Sequence, residues 1–95
     1  MAKFTTRVLL HDAEDGGKEY ETLHSAMELA GFSRTIESSG TTYHLPTAEY
    51  NLIGNYTKDN VRAIAQAAAH TTGRKAAILV TEGERCWIGL KKVQD

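Results

Sequence analysis

The residues that can do chemistry fall into three short pairs: His11-Asp12, Tyr43-His44 and Arg74-Lys75. Together they hold a carboxylate, two imidazoles, a phenol and two cations. A histidine is suited to acid–base work because imidazole as a residue type titrates near neutral pH. Lysine and arginine can hold a phosphate and steady charge that develops on it. If one site gathers these pairs, it can bind a phosphate through the cations and do acid–base work through a histidine. In that reading His11 or His44 serves as base or acid, and Asp12 orients a histidine or holds a metal. Arg7, Arg34, Arg74 or Lys75 contacts phosphate, and Tyr43 offers a ring for a base. The competing reading is that polar residues collect at strand ends anyway, where Asp12 closes an Asx-turn.

Other chemistries have weaker support. The four histidines, His11, His24, His44 and His70, show no close metal-ligand spacing. No cofactor is expected. Magnesium enters only if Asp12 finds a second carboxylate, for example from Asp12 of a second copy. The lone cysteine, Cys86, sits beside Trp87 in an apolar run and reads as inert. Ser33, Ser38 and Ser39 lack a nucleophile-elbow motif. Gly16-Gly17 before a helix is a weak phosphate cradle, with Glu14, Asp15 and Glu19 set against an anion.

The elements that must position these groups follow from hydrophobic period. Lys3 to His11 alternates, with Phe4, Thr6, Val8 and Leu10 on the inward side of a strand. Lys18 to Ala30 has helical spacing, with Tyr20, Leu23, Met27 and Ala30 inward and Glu19, Glu21 and Glu28 facing water. Gly31 ends that helix. Phe32 to Glu37 and a second run from Thr42 flank Ser38-Ser39-Gly40-Thr41 and predict a β-hairpin. In the second arm Pro46 predicts a bulge or an unpaired edge, and Gly54 a further irregularity. Leu45 argues for one buried face of this arm and Ala48 for the other, so alternation leaves the choice open.

Thr57 caps a second helix to Thr72, with Val61, Ile64, Ala65, Ala68 and Thr72 inward and Gly73 beyond its end. Lys75 to Thr81 is an apolar strand. Glu82-Gly83-Glu84 turns the chain into a last strand, Cys86 to Val93. The order predicts an α+β fold: a ferredoxin-like βαββαβ two-layer sandwich with an extra C-terminal strand, sheet order 4-1-3-2 and both helices on one face. That topology would bring His11 and Asp12 near Tyr43 and His44, with Arg74 and Lys75 beside them.

Residues 1–95 read as a single domain of ordinary composition, with a formal net charge of −1. Such a charge argues against RNA affinity through bulk attraction, while leaving room for a local basic patch. One cysteine fits a reducing compartment, and no apolar run reaches membrane-spanning length, so a cytoplasmic location is expected. A short chain with edge strands also predicts a homodimer through its sheet edges, where Trp87, Ile88 and Leu90 need cover. The alternative places Trp87 over Leu9 within one chain.

Three stretches carry a family likeness: Phe4 to Ala13 (FTTRVLLHDA), Gly31 to Ile36 (GFSRTI) and Tyr43 to Tyr50 (YHLPTAEY). They resemble the group of small bacterial and phage proteins that includes GhoS, the endoribonuclease antitoxin of a type V toxin–antitoxin pair. The resemblance implies a ferredoxin-like fold and an endoribonuclease-type antitoxin that binds and cleaves a toxin message. It does not supply a catalytic motif residue by residue. The alternative function is a non-catalytic binding module that docks on a host protein through its sheet edges.

Overall fold

The computed structural model describes residues 1–14 and 17–93. Part of the Gly16-Gly17 phosphate cradle therefore lies outside the described residues. The elements run β1 (Ala2–Leu10), α1 (Lys18–Leu29), β2 (Thr35–Ser38), β3 (Thr41–His44), β4 (Glu49–Gly54), α2 (Lys58–His70) and β5 (Ala76–Glu82). The architecture is α+β: a three-stranded antiparallel sheet in the order β4-β1-β5, a two-stranded β2-β3 sheet, and two helices.

β1 is central because its alternation is clean. Phe4, Thr6, Val8 and Leu10 are all buried. The opposite set, Thr5, Arg7 and Leu9, faces away from the core. Antiparallel neighbours pair with both of its edges. The helices bury Tyr20, Leu23 and Met27 from α1, and Val61, Ala65, Ala68 and Ala69 from α2, in the same core as the inward set of β1. Alanines on α2 let the helix lie close to the sheet. Thr57 caps α2 through a reciprocal pair: its hydroxyl accepts from Asn60 N–H, and Asn60 Oδ1 accepts from Thr57 N–H. The pairing of β4 with β1 stops at Arg7, so Leu10 N–H has no strand partner on that side. It donates to the Tyr20 hydroxyl at 2.9 Å instead, which ties α1 to the end of β1.

The hairpin forms where expected, between β2 and β3. Ser39 and Gly40 both take positive φ (52° and 80°), as a two-residue turn matched to strand twist requires. Its second arm is not one strand. It breaks at Leu45–Ala48, where Glu49 N–H donates to Pro46 O at 3.1 Å and Ala48 takes φ 73°. This turn separates β3 from β4 and resolves the face left open by alternation: Ala48, Tyr50 and Leu52 point into the core. The two sheets are joined by an isolated antiparallel bridge, Ser33 with Asn51.

The expected C-terminal strand does not form. Residues 83–93 contain only an isolated bridge, Tyr43 with Lys92. Gly83 and Gly89 take φ of 143° and 82°, which interrupts an extended run. The tail leaves β5 instead of extending its edge. It crosses the side of the sheet away from the helices and pairs with β3, with His44 N–H donating to Lys91 O and Val93 N–H to Thr42 O. Trp87 packs edge-to-face on Tyr43, with ring centroids 5.6 Å apart, rather than on Leu9.

Candidate functional site

The residues singled out in the sequence divide among several places. His11 is exposed, and its N–H donates to Lys75 O at 2.8 Å, which places these two side by side. Asp12 lines a shallow hollow with Glu14, Lys18, Glu19 and Arg74. Arg74 is already engaged there, with Nη2 on Glu19 Oε2 at 3.1 Å. The Glu19 carboxyl is held below its usual range, first by a backbone hydrogen bond and then by Arg74. Arg74 and Lys75 also border a cleft with Gln66 and His70. Arg7 lines a small apolar hollow with Leu9 and Leu79. Tyr43 stacks against the tail, and His44 opens on a different cleft together with Arg34. None of these cavities joins Asp12 to His44.

The cleft beside His44 has the densest chemistry. It holds about 520 Å³ and is lined by Glu28, Ser33, Arg34, Thr35, His44 and Leu45. Its walls come from rigid backbone. Glu28 lies in the last turn of α1. Gly31 then takes φ 101°, and Phe32 is buried with its N–H on Met27 O, so the chain turns sharply out of the helix. Ser33 is pinned to Asn51 by a reciprocal pair of backbone hydrogen bonds at 2.8 and 2.7 Å. The Ser33 hydroxyl accepts from Thr35 N–H and shares a 2.8 Å hydrogen bond with the Thr35 hydroxyl. Arg34 O accepts from Leu45 N–H, and Thr35 is the cross-strand partner of His44. Arg34 and His44 are therefore fixed relative to each other by paired main chain.

One helical turn before Glu28 stands His24, whose Nδ1 is 2.6 Å from the Tyr50 hydroxyl. Burial pushes the Tyr50 phenol up to about 12, against the opposing pull of the Arg34 charge. Tyr50 thus stays a phenol, and its hydroxyl shares this hydrogen bond with His24 Nδ1. Burial also pushes His24 below its ordinary value, and the Arg34 charge adds to that while Glu28 opposes it. Arg34 sits within electrostatic reach of both His24 and Tyr50, and Glu28 within reach of His24. Among the described residues the ion pairs are Lys3 with Glu84 and Arg74 with Glu19. Glu28 and Arg34 are in neither, so neither side chain is tied up in an ion pair there.

Comparison with protein-family models, with curated proteins and with solved structures finds no match to this chain.

Arg34 and His44 were legible in the sequence as candidate residues; Glu28 and His24 were not. Glu28 reads as a solvated helix residue by periodicity, and only the folding of the β2-β3 limb beside the end of α1 makes it part of a cleft. The available signal was the i, i+4 spacing of His24 and Glu28 just ahead of the Gly31 cap and Arg34. Among the described residues no three His, Cys, Asp or Glu side chains gather as a metal site, and no helix is long and apolar enough to cross a membrane.

Proposed function

We propose that this protein binds RNA and cleaves it in the cleft of Glu28, Arg34 and His44. The observation that carries this reading is that one cleft holds a carboxylate, an imidazole and a guanidinium that pairs with no acid among the described residues. Those are the groups that metal-free phosphodiester transesterification uses. One of the Glu28–His44 pair takes the 2′-hydroxyl proton as the 2′-oxygen attacks phosphorus. The other gives a proton to the departing 5′-oxygen, and Arg34 steadies the charge on the phosphorane. The products are a 2′,3′-cyclic phosphate and a 5′-hydroxyl, with atoms and charge balanced by the two proton transfers.

The resemblance to the GhoS group supports a toxin message as the RNA and an antitoxin role in the cytoplasm. A ferredoxin-like plan supports it too. That plan is supported by the Ser33–Asn51 bridge, which links the chain entering β2 to β4: reading β3 and β4 as one strand interrupted at Pro46 would give the order β5-β1-β4-β2, or 4-1-3-2. The outer edge of β5 carries no strand among the described residues, and Leu79 beside it is 64% exposed. That edge favours a homodimer, or in the alternative reading a docked host protein.

The test incubates purified protein with single-stranded and structured RNAs in excess chelator and maps the product ends. Cleavage leaving cyclic phosphates is expected. No cleavage above that of the Glu28→Gln/His44→Ala double variant would remove the assignment.

A further inference from the structure

The tail holds a second charged group that the cleavage cleft does not use. Arg85 is half-buried against the sheet side opposite the helices. Its Nη1 donates to Phe4 O at 3.1 Å, Thr5 Oγ1 at 3.4 Å and Asn51 Oδ1 at 2.7 Å. Thr5 and Asn51 are cross-strand partners in β1 and β4, so the guanidinium is seated over a fixed point of the sheet. All of these acceptors are neutral. Among the described residues no carboxylate pairs with Arg85, and its Nε and Nη2 make no hydrogen bond. Burial lowers the basicity of this guanidinium, against the opposing pull of the neighbouring Glu84 charge.

Arg85 also lines a cavity of about 300 Å³ with Ser38, Tyr43, Cys86 and Trp87. Tyr43 and Trp87 meet there edge-to-face at 68°. The cavity therefore joins two aromatic rings, a hydroxyl and a cation with spare donors. Aromatic side chains stack on any base, and arginine binds phosphate through a planar fork of donors. Neither half of this pairing alone is specific. Together, on a seated scaffold, they match a base and its phosphate.

We propose that the Arg85–Tyr43–Trp87 cavity is a subsite for a nucleotide of single-stranded RNA, with the base on the rings and the phosphate on Arg85. The proposal rests on the RNA reading above and extends it. Both cavities flank the β2-β3 limb: Tyr43 lines this one and the adjacent His44 lines the cleavage cleft. Tyr43 and His44 are successive residues of β3 and point to opposite faces of the limb, so a strand wrapped around the edge of the limb would meet both. The limb would then grip RNA at one site while its neighbour acts on the backbone.

Trp87 is the only tryptophan and Cys86 the only cysteine, so each reports on this cavity alone. The experiment titrates the full chain with a short oligouridylate whose 2′-hydroxyls are methylated, so that binding is separated from cleavage. Saturable quenching of Trp87 fluorescence and slower alkylation of Cys86 are expected. Arg85→Gln and Tyr43→Leu should each weaken binding about tenfold, as loss of one charge-assisted or stacking contact implies. Because Arg85 also ties the tail to β1, circular dichroism checks the fold of each variant, and the wild-type alkylation readout stands without either.

Cleavage of ordinary RNA with neither quenching nor protection would overturn this inference and leave the cleavage reading intact. Quenching and protection without any cleavage would support it and retract that reading. An acidic, tyrosine-containing peptide that quenches as strongly as the oligouridylate would also overturn it.

Discussion

Arg74 and Arg34 stand at two chemically rich regions, and they differ in what surrounds them. Arg74, where β1 and β5 meet, is neutralised by Glu19 across the gap between α1 and α2. Arg34, on the limb, faces a cleft with Glu28 and His44 and forms no ion pair among the described residues. A paired surface cation mainly decorates the fold. An unpaired one beside an acid and a base remains free for a ligand. The inventory of residue types is similar in both regions, so the difference between the two arginines lies in pairing, which only tertiary structure sets.

The comparison can be broken at the level of rate. Arg34→Ala should lower RNA cleavage by roughly 10²-fold or more, as removal of a group that stabilises transition-state charge does. Arg74→Ala and His11→Ala should leave the rate near wild type. Initial rates on a fluorogenic RNA decide this, and equal losses at Arg34 and Arg74 would erase the distinction.

The next effect sharpens the limb's support. Tyr50→Phe removes the hydroxyl partner of the part-buried His24 and should lower stability by about 1 kcal/mol in chemical denaturation. An opposite change of similar size belongs to the core. Thr6 is fully buried and its hydroxyl finds no partner among the described residues. Thr6→Val removes that orphan and should raise stability by about 1 kcal/mol.

A pH effect follows from His24. Its folded-state value lies below the unfolded one near 6.5, so the unfolded chain binds more protons in the interval between them. Its contribution is therefore present above that unfolded value and is lost as pH falls through the folded one. Melting temperatures measured down through this interval should fall more steeply for wild type than for His24→Gln. The smallest effect is expected at the paired region, where Glu19→Gln should leave the melting temperature nearly unchanged, because solvent screens an exposed pair.

What was legible follows from which forces act locally. β1 could be read because its inward face is buried along its whole length, so period and burial coincide. The Thr57 cap and the buried faces of both helices were legible for the same reason. The second hairpin arm was not, because Leu45 and Ala48 lie on either side of a turn that starts a new strand in another sheet. Alternation cannot carry across such a break. The tail misled because Trp87, Ile88 and Leu90 have strand-like types. Its path is set by Arg85 on the sheet and Trp87 on Tyr43, while Ile88 is left 95% exposed. The candidate site was half legible: Arg34 and His44 stood out as residue types. Their partner Glu28 had the pattern of a solvated helix face.

The claim that the limb, and not the β1–β5 end, meets RNA is tested most directly by NMR. Amide and side-chain shifts of the labelled protein would be followed while an uncleavable, 2′-O-methylated oligonucleotide is added. The account predicts saturable shifts at Glu28, Arg34 and His44, extending to Tyr43 and Trp87, with His11, Asp12, Arg74 and Lys75 unmoved. Shifts concentrated at His11, Asp12, Arg74 and Lys75, with the limb silent, would contradict it.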